Sequence, residues 1–489
     1  MQSLGKPSIF KLTMSFNSLA FIFFLPIVFL LYWQAFRFRR WQNGLVVVAS
    51  YVFYGWWDWR FLGLIAFTSL LSYVGGVLTE HYNGQRRLQR AVCTACIIVN
   101  LLILGIFKYF NFFADSLCAL LGLLGWQVDW STLNVVLPVG ISFYTFQALS
   151  YTIDVFRGQV RASRDVIEFF AYISFFPQLV AGPIERASHL LPQFRQERRF
   201  CYADAVDGCR QMLWGFFKKM VIADNCATVV NAVWADYDSQ PSVMLMAGAV
   251  FFTFQIYCDF SGYSDIAIGC ARLFGIRLMR NFNYPYFSRN IADFWRRWHI
   301  SLMTWLRDYV YIPLGGNRNG RGHTLRNIFV VWAISGLWHG ANWTFVCWGF
   351  YHAVLLTVYR RFKIKPAGNL MSVCITFIFV VIGWVVFRAP TLNDAFGYLS
   401  RMLSLSKMNV SQLLPQLMSM QSAVVTAVIG IALMTFVEWQ GRYGQHALQS
   451  IDNGLLGRCT FLRYAFYVVL AMFTIAFAGS QSEFIYFQF

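Results

Sequence analysis

Between Arg326 and Arg360 the chain runs NIFVVWAISGLWHGANWTFVCWGFYHAVLLTVY, residues 327–359, thirty-three positions without an Asp, Glu, Lys or Arg. About 20 apolar residues suffice to cross the roughly 30 Å of hydrocarbon in a bilayer, so this run exceeds what one straight span needs. The small residues of Ser335-Gly-Leu-Trp-His-Gly-Ala-Asn-Trp343 lie near its centre and predict a helix break or strong tilt near Gly340. His339 stands at that point, and an ionisable group so deep in apolar surroundings normally faces a cavity or a partner. It is therefore a candidate functional residue; the alternative is a buried histidine hydrogen-bonded between helices. For His352, towards the end of the same run, the second reading is favoured.

The rest of the chain has the same character. Of 489 residues, 58% are hydrophobic, 19% aromatic and only 13% charged, against about 25% charged in an ordinary soluble protein. Fifty Phe and 18 Trp cannot all be hidden in water-soluble cores of this size, so the surplus must face lipid. Uncharged windows run 12–36, 41–57, 61–79, 91–107, 130–153, 239–258, 327–359, 366–387, 408–437 and 464–482. Shorter or charge-marked apolar stretches at 111–127, 169–184 and 204–235 suit re-entrant or partly buried helices surrounded by protein. The expected fold class is all-α, a polytopic membrane protein with eleven to thirteen transmembrane helices plus re-entrant and interfacial ones.

A net charge of +18 would suggest nucleic acid on a polar domain, but these basic residues sit in short segments between apolar runs, so no nucleic acid is expected. Topology explains them better. Arg37, Arg39 and Arg40 follow the first span and Arg86, Arg87 and Arg90 the third, which places both loops in the cytoplasm and the N-terminus outside. Lys6 and Lys11 precede an apolar stretch without a small-residue cleavage site, so the first helix is expected to be uncleaved. Most of the eleven cysteines lie in apolar segments, including Cys93 and Cys96, without partners at metal spacing. No internal repeat and no Gly/Ser- or Pro-rich linker is visible, so residues 1–489 are expected to form a single membrane-embedded domain.

Two further stretches carry unusual chemistry. Residues 272–326 lack a clean span and hold ten arginines against two acids, Asp293 and Asp308. Within them Asn290 to Asp308 looks helical, with Trp295, Trp298, Leu302 and Trp305 at three- and four-residue spacing and Arg296 and Arg297 on the flank; His299 lies on this helix. Pro313 to Gly320 then reads as a tight loop. An arginine-rich segment of this kind binds phosphates or an acidic partner, or follows from positive-inside topology and contact with anionic membrane lipids. The other stretch, Gln255-Ile-Tyr-Cys-Asp-Phe-Ser-Gly-Tyr-Ser-Asp265, puts carboxylates and hydroxyls at the end of an apolar span, where they line a wet pocket or bond neighbouring helices. Asp259 and Asp265 alternatively cap a helix or pair with nearby arginines. His81, His189, His323 and His446 sit in polar surroundings and carry no functional claim. No G-x-S-x-G elbow, H-E-x-x-H helix, P-loop or dinucleotide fingerprint occurs, and no metal site is expected.

At these residues the chain resembles the membrane-bound O-acyltransferase family, and within it the AlgI-like bacterial polysaccharide O-acetyltransferases. The matching words are Leu137-Pro-Val-Gly-Ile-Ser-Phe-Tyr-Thr-Phe146, Phe176-Pro-Gln-Leu-Val-Ala-Gly-Pro-Ile184, Trp214-Gly-Phe-Phe-Lys-Lys219, Asp259-Phe-Ser-Gly-Tyr-Ser-Asp265, Phe294-Trp-Arg-Arg-Trp-His-Ile-Ser-Leu302 and Trp338-His-Gly-Ala341. The resemblance runs from about residue 14 to the last spans. It implies helices around a central tunnel, with His339 as the catalytic histidine and His299 as the family's second characteristic polar position. Asp259, Ser261, Tyr263, Arg296, Arg297, Trp338 and Asn342 become candidate substrate contacts. The final word, Glu483-Phe-Ile-Tyr-Phe-Gln-Phe489, is similar to the ending of AlgI-like chains, with no soluble domain appended to finish a transfer outside the membrane.

The resemblance further implies a multi-pass protein of the bacterial inner membrane with no tightly bound cofactor. Its co-substrate is expected to be a cytoplasmic thioester, acetyl-CoA or an acyl carrier protein, and its acceptor a hydroxyl of an exported or cell-surface polysaccharide, reached directly or through an SGNH-type extracytoplasmic partner. The alternatives weighed against it are a secondary transporter or flippase for a lipid-linked sugar, with Asp259, His299 and His339 coupling protons, and a scaffold for an export complex.

Overall fold

A computed structural model describes residues 14–126, 128, 133, 136–180, 182–362, 368–404, 409, 411, 413–449, 451, 459–482 and 484–485. Lys6, Lys11, the start of the 130–153 window, Ala181 and most of the Glu483–Phe489 word lie outside them. Regular structure among the described residues is helical throughout. Helix α1 (Leu19–Leu30) is capped by Ser18, contains Pro26 and passes into a π-helical turn at Leu31–Ala35. Helices α2 (Arg39–Asp58) and α3 (Leu62–His81) meet at a tight turn where Asp58 is extended. A π turn at Gly105–Tyr109 likewise joins α4 (Arg86–Leu104) to α5 (Phe110–Leu123). Helix α6 (Ile141–Phe156) is buried on nearly every face, so the word 137–146 belongs to the core rather than to a lipid-facing span.

Short helices α7 (Val166–Ser174), α8 (Phe176–Leu179) and α9 (Ala187–Arg195) follow, mostly buried, as residues too short to span would be. Next come α10 (Tyr202–Phe216), a π turn over Phe217–Ala223, α11 (Asp224–Ala235) and the 32-residue α12 (Ser242–Leu273). Helices α10 and α12 touch backbone to backbone through facing glycines. A Cβ on Gly208 would stand 2.6 Å from the Gly269 oxygen, and one on Gly215 2.6 Å from that of Gly262, the small-residue packing that lets membrane helices approach closely.

The stretch expected to be one helix, 290–308, is two: α13 (Ile291–Arg297) and α14 (Ile300–Leu306), with His299 between them in the left-handed region at φ 44°. The crossing strand of chain at 281–283 supplies the reason. Asn281 O accepts from Ile300 N at 2.9 Å and Asn283 N donates to Arg297 O at 2.9 Å, so backbone groups freed by the break are paired. Uninterrupted helical spacing of the tryptophans carries no information about such a partner.

The run 327–359 breaks where expected. Helix α15 (Gly320–His339) ends at the histidine, Gly340 is extended, and α16 (Trp343–Phe362) returns alongside it. A Cβ on Gly336 would lie 2.3 Å from Phe345 O, and one on Gly349 2.3 Å from Trp332 O. The two helices thus form a tight antiparallel hairpin with Arg326 at one end and Arg360 and Arg361 at the other, both on the same side. His339 lies thirteen residues beyond Arg326, roughly 20 Å along the axis at 1.5 Å per residue, at the turn. Helices α17 (Asn369–Arg388), α18 (Leu392–Met402), α19 (Leu413–Ser419), α20 (Gln421–Gln440) and α21 (Thr460–Ala476) complete the described fold.

Five helical stretches among the described residues are long and apolar enough to cross a membrane: Arg39–His81, Arg86–Leu123, Ser242–Leu273, Asn369–Arg388 and Gln421–Gln440; Leu19–Ala35 and Thr460–Ala476 are apolar but shorter. The chain is an all-α, multi-pass membrane protein. Several arginines cluster at one end: Arg39 donates to Arg195 O, Arg198 to Asn43, Arg195 to Glu168, and Arg164 to Glu80 beside the loop that leads to Arg86.

Candidate active site

At the centre of the fold the imidazoles of His299 and His339 face each other at 6.4 Å between ring centroids. Both are buried, and both sit where a helix is interrupted. The indole of Trp338 packs edge-on against both, 5.5 Å from His299 and 5.0 Å from His339. Trp348 and Phe387 close the far side of His339 at 5.1 and 5.3 Å, and Phe260 stands perpendicular to His299 at 4.7 Å. Such aromatic walls exclude water and fix ring orientation. His352 joins the same aromatic cluster and meets Trp295 Nε1 at 3.3 Å through Nδ1, the bonded, buried state favoured for it from sequence.

Asn281 fixes His299. Its Oδ1 lies 3.1 Å from His299 Nδ1 and accepts from Ser301 Oγ at 2.9 Å, while its Nδ2 donates to Ser264 Oγ at 3.1 Å. A ring that donates from Nδ1 presents Nε2 as its basic nitrogen. The terminal turn of α15 is held as firmly. Lys108, in the π turn after α4, donates to the carbonyls of Trp338 and His339 at 2.7 and 3.3 Å and to Ser142 Oγ at 3.3 Å; Tyr109 donates to Leu337 O at 2.8 Å. A cation at a helix C-terminus complements both its free carbonyls and its dipole.

Two clefts lie on either side of this pair, one lined by His339 itself and the other by Asn281, the partner of His299. One, with a cavity volume of about 40 Å³, is lined by Lys108, residues 137–143, Trp338 and His339. It lies far from the basic end, because α4 runs from Arg86, whose guanidinium bonds Phe156 O, to the turn at Lys108. The other, with a cavity volume of about 20 Å³, is polar and lined by Lys218, Ser261, Asp265, Asn281 and Glu438 among others. It lies on the basic side, where Arg280 bonds Gly444 O, Arg272 pairs with Asp207, and His446 Nε2 meets Asp207 at 2.8 Å. Burial pushes the His446 imidazole down to about 4, so it stands neutral in this wall. Asn281 belongs to this second cleft and holds His299, which in turn faces His339 in the first.

The other sequence candidates divide. Ser261 lines the polar cleft and accepts from Lys218 at 2.9 Å. Asp259 is turned away, paired with Lys219 at 2.8 Å and accepting from Ile485 N at 2.7 Å. Tyr263 packs at a tilt against Phe484, 4.2 Å between ring centroids, and borders a separate apolar cavity with Ser15, Phe53 and Trp57. Arg296 and Arg297 lie beside Asp293 at 3.9 and 3.1 Å, with Arg296 exposed. Asn342 caps α16, accepting from Thr344 N at 3.0 Å and donating to Pro390 O at 2.8 Å. Among the described residues no group of three or more His, Cys, Asp or Glu is placed to hold a metal ion.

Two site residues escaped the sequence reading. Lys108 interrupts an apolar run between Phe107 and Tyr109, and the same depth rule that singled out His339 applies to it. Asn281 carried no such signal, because only the tertiary crossing of 281–283 over the α13–α14 break gives it a partner.

Comparison with known proteins identifies the family. The family model described as MBOAT, membrane-bound O-acyltransferase family, matches residues 159–387. A probable alginate O-acetylase AlgI of Azotobacter vinelandii is 42% identical over 434 residues, covering 86% of this chain and 85% of its own. The protein of the same description from Pseudomonas putida is 39% identical over 97% of this chain and 100% of its own length. A peptidoglycan O-acetyltransferase of Helicobacter pylori is 32% identical, covering 97% of both chains. With helices that cross the membrane, a paired-histidine centre and relatives at this identity over most of their length, the chain belongs to the membrane-bound O-acyltransferase family and is a multi-pass membrane acyltransferase.

Proposed function

We propose that the protein moves an acetyl group from a cytoplasmic thioester, acetyl-CoA or an acyl carrier protein, to hydroxyls of an exported or cell-surface polysaccharide, directly or through an SGNH-type extracytoplasmic partner. In this reading residues 1–489 act as one domain in the bacterial inner membrane, with the basic end in the cytoplasm and the N-terminus outside. The observation that carries it is the buried His299–His339 pair, rings 6.4 Å apart, with His339 lining one cleft and Asn281, which bonds His299, lining the other. A charged donor and a polar sugar cannot cross lipid, so the protein need only bring their reacting atoms together, and fixed proximity is itself a large share of catalysis.

The donor thioester enters from the polar cleft and the acceptor hydroxyl from the cleft at Lys108. Neutral His339 takes the hydroxyl proton as the oxygen attacks the thioester carbonyl. The tetrahedral intermediate collapses with cleavage of the C–S bond, and the proton passes from the imidazolium to the departing sulfur, leaving an ester and a free thiol. General-base catalysis of this kind contributes about 10²–10⁴-fold. His299, oriented by Asn281, steadies the developing oxyanion or the donor carbonyl. The arginines of 272–326 draw the donor's phosphates or an acidic carrier. The test replaces His339 with Ala and with Gln and measures acetyl ester on the exported polymer at normal protein levels. Loss of ester is expected; undiminished acetylation removes His339 from the mechanism. Sugar movement by the purified protein without thioester cleavage would instead favour a transporter.

A further inference from the structure

The cleft that carries His339 contains Lys108, which forms no ion pair with a carboxylate among the described residues. Lys108 is largely enclosed, yet among the described residues no Asp or Glu lies within ion-pair distance of its Nζ. Its three neighbours are all acceptors: Trp338 O, His339 O and Ser142 Oγ. Three acceptors around one nitrogen match the three donors of an ammonium, and a neutral amine has only two hydrogens to give. The contrast with the other buried lysines is sharp. Lys218 pairs with Asp265 at 2.6 Å, and Lys219 with Asp224 and Asp259 at 2.8 Å each. Charges removed from water are ordinarily matched in this way. Among the described residues carbonyl and hydroxyl dipoles surround the Lys108 ammonium, and the cleft it lines is otherwise formed by Leu137, Pro138, Val139 and their apolar neighbours. An anion entering there would meet one positive charge in a poorly screened setting, within the same cleft as the base.

We propose that Lys108 is a specificity-determining residue that selects acceptors bearing a negative group, a carboxylate or a phosphate, close to the hydroxyl to be acylated. This rests on the acyl-transfer reading above and extends it to the acceptor's charge. The π turn at Gly105–Tyr109 places the lysine: the extra residue in that turn rotates it off the regular helix face, and such turns recur at functional sites. The lysine also clamps the end of α15, so a role confined to structure must be separated from selection.

The experiment uses the full-length protein in proteoliposomes, an acetyl thioester, and three acceptors: a carboxylated oligosaccharide, its carboxyl-reduced neutral counterpart, and a phosphate-bearing oligomer. For Lys108→Met, which also loosens the end of α15, the ratio of kcat/KM for anionic over neutral acceptors is expected to fall about tenfold or more, whatever the loss common to both; Lys108→Arg keeps that ratio near the wild-type value. The two anionic arms tell which anion is read. In the wild type the carboxylated acceptor should show a lower KM than its carboxyl-reduced counterpart, which needs no variant to fold. Equal losses on charged and neutral acceptors, or equal wild-type KM values for that matched pair, would overturn the proposal and leave Lys108 a clamp. A wild type that transfers no acetyl to any acceptor, with or without an SGNH-type extracytoplasmic partner supplied, would instead remove the acyl-transfer reading.

Discussion

Replacing Asn281 with alanine removes the group that ties the donor-side cleft to the histidine pair. Asn281 is fully buried. Its side chain makes bonds to His299 Nδ1 at 3.1 Å, Ser301 Oγ at 2.9 Å and Ser264 Oγ at 3.1 Å. Truncation leaves buried polar partners unmatched at about 1–3 kcal/mol for each group not rescued by water. One water filling the space of the missing amide can rescue some of them, so a net loss of roughly 2–4 kcal/mol follows. If that loss falls on the orientation of His299 in the transition state, kcat drops on the order of 10- to 1000-fold at 1.36 kcal/mol per decade. The assay is thiol release from an acetyl thioester by the reconstituted protein, with thermal unfolding in detergent measured in parallel. Asn281→Asp keeps an acceptor for Nδ1 but adds a charge that favours the imidazolium, so it should restore stability more than rate and move the pH–rate profile. An alanine variant within threefold of wild-type kcat at unchanged KM would refute the role assigned to the Asn281–His299 bond.

Gly336→Ala places a Cβ 2.3 Å from the backbone oxygen of Phe345, so α15 and α16 must part; a loss of about 1–3 kcal/mol in unfolding free energy is expected, and an unchanged melting temperature with full activity would contradict the close packing. Lys219→Met strands Asp224 and Asp259, both buried and both 2.8 Å from its ammonium, at a cost of about 3–5 kcal/mol, read as lost folded yield and a lower unfolding temperature in detergent. At the basic end, Glu185 Oε2 lies 2.7 Å from His189 Nδ1 and holds the imidazole's pKa above its ordinary value, while burial raises that of Glu185. Protons are therefore bound more tightly in the folded state: the stabilisation is complete below pH of about 6.5 and is lost as pH rises through the folded value. Unfolding temperature should fall slightly between pH 6 and 8.5, by roughly a degree, and His189→Gln should flatten that slope; equal slopes would show that the pair is not the titrating element.

Much of the fold was legible because the lipid environment simplifies the code. A window without charge must be helical and enclosed or lipid-facing, which marked α3, α12, α17 and α20, and a glycine-flanked histidine within too long a window marked the α15–α16 turn. What stayed hidden depends on contacts remote in sequence. The tryptophan spacing from Trp295 to Trp305 fits one helix, and only the crossing chain at 281–283 makes a break at His299 affordable. Asp259 and Ser261 share one motif, yet α12 turns them to opposite sides, one towards Lys219 and the other into the polar cleft. Arg296 and Arg297 read as ligands for phosphate, but Asp293 one turn earlier on the short α13 already stands beside both. Local pattern identifies which residues are chemically costly to bury; it does not say which neighbour offsets that cost.

The claim on which the account stands is that reactants arriving from opposite faces meet at His339. It is tested most directly in sealed vesicles holding uniformly oriented protein, with radiolabelled acetyl thioester on one side and a hydroxyl acceptor on the other. Acetyl ester should form only when the thioester is on the face of Arg272, Arg326 and Arg360 and the acceptor on the opposite face, and His339→Gln should reduce it by at least about a hundredfold. Ester formation only when both reactants share one face, or at an undiminished rate in the His339→Gln protein, would contradict it.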